Sequence, residues 1–519
     1  MKIKLENRPD YVEIKEAPSR FRNAIGKYKV RRSLQCINCG TCVQSCPYGV
    51  HVMHKNTKRV SRPKDYKCIG FECQNKPFYC IDKCPVNALS LAINPLYETF
   101  GDYRWTSDLI LSTWAQAETG KIPHVELEYR TGRSGGGFDR LKFDFPEEEI
   151  EQEGKGARGQ GGKEGTDANH QSPITNHQSP ISTSIALNRR NDGRPEITID
   201  IPIYGGGMSY GSVSLPTMLA RAKAAKVWNT FTCTGEGGYP EELKDYDDYV
   251  ITQVATGLFG VREETIQRVR IVEFKYAQGA KPGLGGHLLG DKVTKDVARM
   301  REAVAGSALF SPFPFHSVYS VEDHKKHVDW IKEINPKALV SVKVATPTDV
   351  DMVAVGSYHA GAHIIHLDGS YGGTGAAPDI AKKNIAMPIE YAIPKVHRFL
   401  VEEGIRNEMV LIASGGLRTA YDVAKAIALG ADGVVIGTAE MVALECTRCS
   451  NCESGRGCAR GIATTDPELS DLINMEWGAQ RIINLYAAWR SQLVEILRRF
   501  RMTSIKQLRG RTDCLIYQK

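Results

Sequence analysis

An α/β fold, a barrel of eight strand–helix units behind a small cysteine-rich α+β domain, is what the sequence predicts. Three features carry that reading. Short β-branched runs alternate with amphipathic helical stretches from about residue 191 onward, glycines close most of those runs, and eight of the 14 cysteines crowd between Cys36 and Cys84. Repeated strand–helix units imply a parallel sheet covered by helices, and seven or eight of them favour a closed (β/α)8 barrel.

The chain has 519 residues, enough for two to four domains, with 42% hydrophobic and 24% charged residues, as in ordinary globular proteins. No apolar run approaches the roughly 18 residues a membrane span needs, and MKIKLENRPDYVEIKE lacks a hydrophobic signal core. A cytoplasmic protein is expected. The net charge of +7, from 67 basic and 60 acidic residues, is mild, and no basic run is interleaved with aromatics. That balance argues against nucleic acid and suits anionic substrates or acidic electron carriers. In a reducing compartment, clustered cysteines hold metal or carry redox chemistry more often than disulfides.

Residues 1–94 form the first predicted domain. CINCGTCVQSCP sets Cys36, Cys39, Cys42 and Cys46 at the C-x2-C-x2-C-x3-C-P spacing of bacterial ferredoxins. CIGFECQNKPFYCIDKCP adds Cys68, Cys73, Cys80 and Cys84 with longer first spacings and the same closure. In a two-cluster arrangement the last cysteine of each run reaches across to the other cluster. Cys36, Cys39, Cys42 and Cys84 are therefore expected on one [4Fe–4S] cluster, and Cys68, Cys73, Cys80 and Cys46 on a second. Two zinc knuckles are the alternative; the C-P closures and the lack of paired histidines weigh against them.

Residues 95–145 are expected to connect this ferredoxin-like domain to the barrel and pack on it. Residues 146–190, with PEEEIEQEGKGARGQGGKEG and a tandem NHQSPI, carry too little apolar surface to fold and predict a disordered linker. His170 and His177 belong to that repeat and are expected to be solvated. Residues 191–519 are the barrel. ITIDIPI, VWNTFTC, RIVEFKYA, ALVSVKVA, HIIHLDG, MVLIASGG and GVVIGTA read as buried strands, and LPTMLARAKAAKV and TDVDMVAVGSYHAG as helices between them. WGAQRIINLYAAWRSQLVEILRRF predicts a long amphipathic helix against the barrel. His324 and His327, one turn apart in VEDHKKHVDW, are expected on a solvated helix face.

The barrel needs a redox partner for the clusters. SGGLRTAYDV and VVIGTAEM each end a strand in glycines before a helix, a setting whose N–H groups can cradle phosphate. A dinucleotide fingerprint is missing, because the glycines of YGGGMSYGS stand at the wrong intervals. FMN suits better than NAD, since a flavin turns single electrons into hydride.

MSYGSVS, TGEGG, KYAQGAKPGLGG, SVKVA, DGSYGGTGAAP, SGGLRTAYDVAKAIALGA and IGTAEMVALEC, in that order, resemble the FMN-binding synthase domain of glutamate synthase. The RGRTDCL ending resembles the short archaeal-type members, in which an N-terminal two-cluster domain is a known arrangement. The resemblance spans roughly residues 95 to 515. It implies that Met208, Ser209, Gln278, Lys343, Gly416, Gly437 and Thr438 hold FMN, with Gly415 and Gly416 at its phosphate. It also implies that Lys275, Lys281 and Arg301 grip 2-oxoglutarate and that Glu236 stands beside the imine, with Gln278 near both. A dicarboxylate does need fixed cations, and a guanidinium can bind a carboxylate bidentately.

In the family a C-x5-C-x4-C pattern after the IGTA strand binds a [3Fe–4S] cluster. Here Cys446 and Cys452 keep the first spacing, Cys458 comes one residue late, and Cys449 is extra. A third cluster, [3Fe–4S] or [4Fe–4S], is expected, with zinc as the alternative. Cys233 and Cys514 have no partners in sequence, and Cys514 reads as a buried small hydrophobe. Two departures fall in the pocket. Leu284-Gly285-Gly286-His287 stands where the family has E-G-G-Q, and Cys233 replaces an asparagine. His287 would take over from an amide on the substrate carboxylate.

The resemblance therefore implies a glutamate synthase subunit that aminates 2-oxoglutarate with ammonia through 2-iminoglutarate. An external donor, a ferredoxin or a reductase subunit, would supply electrons. Ammonia would come from solution or a separate glutaminase subunit, since no glutaminase domain is expected here. Two alternatives stand beside it: a flavin and iron–sulfur oxidoreductase for another oxo or imino acid, and an electron-transfer subunit of a larger complex.

Overall fold

The computed structural model describes residues 1–4, 11–21, 25–99, 101–122, 137–146, 181–283, 286–311, 315–372, 377–452 and 457–518. Eight parallel strands form one sheet: β1 Ile203–Gly205, β2 Thr232–Cys233, β3 Val250–Ala255, β4 Ile271–Lys275, β5 Leu339–Ala345, β6 Ile364–Asp368, β7 Val410–Ser414 and β8 Gly433–Ile436. Each pairs with its sequence neighbour from β2 round to β8, and β8 pairs with β1. A parallel bridge from Gly207 to Cys233, and the Gly205 N–H donating to Phe231 O at 2.8 Å, close the ring. Strands covered by helices outside and side chains inside are buried throughout, as all seven residues of β5 are.

Three elements differ from those expected. ITIDIPI splits into an outlying strand, Thr198–Ile199, and the start of β1. Val227 of VWNTFTC ends helix α1, Leu215–Val227, and Trp228 and Asn229 turn out of it, so only its last two residues are strand. And β3 was missed altogether. Its Thr252 and Gln253 break the apolar run, yet both are buried, and Gln253 Nε2 donates to Glu273 at 2.8 Å inside the barrel.

Of the expected linker, residues 147–180, including His170 and His177, lie outside the described residues. Residues 181–190 are built into the barrel. Ile185–Ala186 pairs antiparallel with Thr198–Ile199, Ile185 and Leu187 are buried, and Arg189 binds both oxygens of Asp432 at 2.6 and 3.0 Å. Ile181, Ile185 and Leu187 give this end an apolar edge that the rest of the segment lacks.

Helix Met475–Arg499 runs along α1, and helix Ser107–Thr119 packs on it in turn. Buried Arg481 donates to Ala17 O at 2.7 Å and Trp114 O at 3.3 Å, and Asn484 to Lys15 O at 2.8 Å and Ala117 O at 2.9 Å. These bonds satisfy buried backbone carbonyls and tie the N-terminal strand and the connecting segment to the barrel. The strand Leu141–Phe143, antiparallel to Leu515–Tyr517, does the same at the chain's end. The ferredoxin-like domain has its own small core, Val30, Cys42, Val50, Val60 and Leu89, under the antiparallel pair Tyr28–Arg32 and Leu89–Ile93.

His324 contradicts its solvated reading. It is 6% exposed, its Nδ1 meets the Tyr276 hydroxyl, and burial lowers its pKa to about 4. His327 is partly exposed and shares a 2.8 Å hydrogen bond with Ser317 Oγ. Phe274, Tyr276 and Phe315 surround the pair, so the helix turns this face inward.

Candidate functional site

A cavity of about 730 Å³ opens where the barrel strands end, the position at which barrels keep their chemistry. Met208, Ser209, Glu236, Lys275, Gln278 and Lys281 line it, as do Arg301, Lys343, Gly415, Gly416, Gly437 and Thr438. Sequence positions more than 200 apart thus meet in one chamber. Leu284 and Gly285 lie outside the described residues. His287 is described only in its backbone, in a short strand pairing with Phe310.

One end of the cavity is built to hold anions. Lys275, the last residue of β4, pairs with Glu236 (Nζ to Oε1 2.8 Å), and Ser311 Oγ donates to Glu236 Oε2 at 2.7 Å. Burial would raise the Glu236 pKa, but Lys275, Ser311 and Arg301 outweigh it and hold the carboxyl below its ordinary value. Arg301 is 4% exposed, its Nη2 donating to Ser209 Oγ at 2.8 Å and Tyr210 O at 3.1 Å. Its Nε has no partner among the described residues. A buried guanidinium with an unmet donor on a cavity wall fits a carboxylate. Gly237 (φ 125°) makes room for it, since a Cβ there would lie 2.5 Å from Arg301 Cζ.

The other end is built around Gly415 and Gly416, both left-handed (φ 102° and 88°). A Cβ would strike Gly369 O at 2.6 Å in one case and the Arg104 guanidinium at 2.7 Å in the other. Arg104 stacks 4.3 Å from the Tyr371 ring centre and donates to Gly416 O at 3.3 Å, while its Nε and Nη1 lack partners among the described residues. Such a glycine cradle backed by an unsatisfied cation fits a phosphate. Lys343 Nζ lies 3.3 Å from Asp368 Oδ2. Burial alone would lower its pKa; Asp368 and Glu273 outweigh that and keep it raised.

Cys446, Cys449, Cys452 and Cys458 line the wall of this same cavity. Left-handed backbone at Glu445, Arg448 and Ser450 coils the loop tightly, and Arg448 is held to Asp102 at 2.7 Å. Burial, with Cys452 and Cys458 nearby, pushes the Cys446 thiol up to about 12. Cys449 is exposed, the other three half-buried.

In the ferredoxin-like domain, Cys36, Cys39, Cys42 and Cys84 line one pocket, the set expected from the crossing pattern. Ala88 N donates to Cys84 Sγ at 3.2 Å, the kind of contact that stabilises a cluster thiolate. Cys46, Cys68 and Cys80 pack against the same small core, and burial, then the thiols of Cys46, Cys68 and Cys73, push Cys80 up to about 12. Among the described residues, neither the thiols nor any histidines and carboxylates close onto a single metal-binding point. Cys514 is buried, as expected, and Cys233 lies buried under Gly207, 3.3 Å from where its Cβ would stand.

Sequence reasoning missed Ser311, Asp368, Gln253, Arg104 and Asp102. Only Asp368 left a signal, as the polar end of the apolar run HIIHLD. The others act through contacts made by distant segments.

Residues 163–503 match the model of the conserved region in glutamate synthase, and residues 28–85 that of the 4Fe-4S dicluster domain. The archaeal-type glutamate synthase (NADPH) of Thermotoga maritima is 36% identical over 494 residues, covering 93% of each chain. The archaeal glutamate synthase (NADPH) of Archaeoglobus fulgidus is 36% identical over 526 residues, again 93% of each. That of Methanocaldococcus jannaschii is 48% identical over 322 residues, covering 62% of this chain and 63% of its own. A solved flavocytochrome b2 variant with sulfite bound covers 81% of both chains at 13% identity and a TM-score of 0.42, too distant to bear on function. With its barrel and its two-cluster domain both matched, the chain belongs to the glutamate synthase family, in its archaeal type.

Proposed function

We propose that the protein is the synthase component of a glutamate synthase, converting 2-oxoglutarate and ammonia to glutamate through 2-iminoglutarate. One observation carries this reading: a single cavity is lined by Lys275, Lys281 and Arg301, by the glycine cradle with Lys343, and by the C-terminal cysteines.

Arg301 and Lys281 bind the substrate carboxylates, and their burial strengthens each charge-assisted bond. Lys275 and Ser311 keep the Glu236 carboxylate ionised, so its oxygens can take a proton from ammonium and return one to the imine nitrogen. Met208, Ser209, Gln278, Gly437 and Thr438 hold the flavin beside Lys343, with Gly415 and Gly416 at its phosphate. FMN, when bound, supplies hydride to the imine carbon. Cys36, Cys39, Cys42 and Cys84 hold one [4Fe–4S] cluster and Cys46, Cys68, Cys73 and Cys80 the other. Cys446, Cys452 and Cys458 hold a third on the cavity wall, with Cys449 a fourth ligand only in a [4Fe–4S] form. An external protein delivers the electrons. Cys233, set behind Gly207, is not among the cavity's lining residues, which favours 2-oxoglutarate over a different acid.

Anaerobic single turnover tests the reading. Dithionite-reduced protein mixed with 2-oxoglutarate and ammonia is expected to reoxidise its flavin and form one glutamate for every two electrons lost by flavin and clusters together. No reoxidation at any pH would overturn the assignment in favour of another oxo acid.

A further inference from the structure

Between Glu16 and Asp65 the sequence has no acidic residue and eleven Lys and Arg. The rest of the chain has 56 basic and 60 acidic residues, a net −4, so the positive charge of the whole protein resides in this stretch. It contains the first cysteine run. The turn His54–Arg59, closed by His54 N donating to Arg59 O at 2.8 Å, exposes Lys55, Lys58 and Arg59. That turn is fixed beside the cysteine loop: Val60 N donates to Asn38 Oδ1 at 3.2 Å, and Arg32 Nη1 to Val60 O at 2.8 Å.

Two aliphatic side chains stand bare on the same loop. Leu34 is 105% exposed and Ile37 62%, flanking Cys36, and Cys39 is exposed. Ile37 also lines the pocket shared by Cys36, Cys39, Cys42 and Cys84. The second cysteine set faces the other way. Lys67, next to Cys68, pairs at 2.9 Å with Glu118 of helix Ser107–Thr119, and that connecting segment reaches the C-terminal cysteine loop through Gly101 N donating to Thr447 O at 3.0 Å.

From this we propose that the basic face around Leu34 and Ile37 is the docking surface for an acidic electron-donor protein, which delivers electrons to the Cys36–Cys39–Cys42–Cys84 site. The proposal rests on the reading of that site as a cluster. A bare apolar patch beside an exposed cationic turn suits a steered, transient protein contact. Nucleic acid fits worse, because the exposed apolar groups of that patch are aliphatic and offer no base a stacking surface. A membrane fits worse too, because two loop residues are no amphipathic helix. Each encounter moves one electron: the donor is oxidised by one, the cluster reduced by one. Two encounters match the two electrons that one glutamate requires.

The test is stopped-flow reduction of the holoenzyme by a reduced acidic [2Fe–2S] ferredoxin, used as the probe, at low and high salt. The second-order rate is expected to fall at least ~10-fold with salt, as steered association does. At low salt K55E/K58E/R59E is expected to lose a similar factor, and Leu34→Asp to slow reduction without changing cluster absorption. Reduction by dithionite, and glutamate formation driven by dithionite, are expected to be unchanged in both variants. A salt-insensitive rate, or a triple variant reduced by ferredoxin as fast as the parent, would overturn the proposal. So would a triple variant that loses binding to duplex DNA or anionic vesicles while its ferredoxin rate stays intact. Normal ferredoxin reduction without glutamate formation would instead count against the proposed reaction and leave the docking comparison readable.

Discussion

Lys343 Nζ stands 3.3 Å from Asp368 Oδ2 across adjacent strands, Asp368 ending β6 and Lys343 lying just inside the end of β5. Asp368 Oδ1 accepts from Ser414 Oγ at 2.6 Å, Ser414 shares a 2.8 Å bond with His366 Nε2, and His366 Nδ1 lies 2.9 Å from Glu273 Oε2. One buried polar chain thus runs down the barrel interior from the cavity. Removing its only lysine leaves a buried carboxylate uncompensated. Lys343→Met is expected to destabilise the flavin-free protein by roughly 3–5 kcal/mol, read from urea unfolding. K343M/D368N is expected to recover part of that loss, as coupled neighbours do. Full additivity would show that the pair is not an electrostatic unit.

Glu273, at the far end of this chain, gives the fold an acid-sensitive element. Burial would raise its pKa, yet His366, Lys343 and Gln253 together lower it from 4.5 to about 2. A carboxyl whose pKa folding depresses stabilises the protein in full above its unfolded value. That contribution drains away as pH falls from about 4.5 toward 2, and is worth on the order of 3 kcal/mol. Glu273→Gln is expected to be less stable at neutral pH and to lose less stability across this window. Parallel acid-unfolding curves for the two proteins would refute the assignment.

The cysteine runs and the glycine-ended strands were legible because their information is local: a ligand spacing or an apolar run names itself. What escaped was set by distant partners. Strand β3 hid because Thr252 and Gln253 break its apolar run, and Gln253 finds its partner Glu273 only inside a closed barrel. His324 looked solvated because nothing in VEDHKKHVDW announces Tyr276 and Phe315 above it. Ser311 and Arg104 are ordinary residues until the short strand ending at Phe310 and the connecting segment bring them to Glu236 and Gly416.

Arg301→Ala removes a buried guanidinium from the anion end of the cavity. The 2-oxoglutarate affinity is expected to fall by at least ~2 kcal/mol, about 30-fold, since a charge-assisted bond to a desolvated carboxylate is lost. Flavin content should not change. Titration of the oxidised protein with 2-oxoglutarate, followed by flavin absorbance, checks this, and an unchanged dissociation constant would take Arg301 out of the substrate site.

The C-terminal cysteines allow a sharper test, because their surroundings differ. Cys452 is half-buried and its pKa is raised by burial, Cys458 and Cys449, whereas Cys449 itself is exposed. Cys446, deepest of the set, senses Cys452 and Cys458. A three-ligand cluster on Cys446, Cys452 and Cys458 would leave Cys449 as a bystander. Three clusters predict roughly 11–12 iron atoms per chain, eight of them in the N-terminal domain. Cys452→Ser is expected to lose about three or four, with the N-terminal signals intact in low-temperature EPR of the reduced protein. Cys449→Ser is expected to keep all its iron and the EPR signal of an oxidised [3Fe–4S] centre. If Cys449→Ser instead loses that iron, the centre is a four-cysteine [4Fe–4S] cluster; zinc in its place in the parent protein would make the site structural.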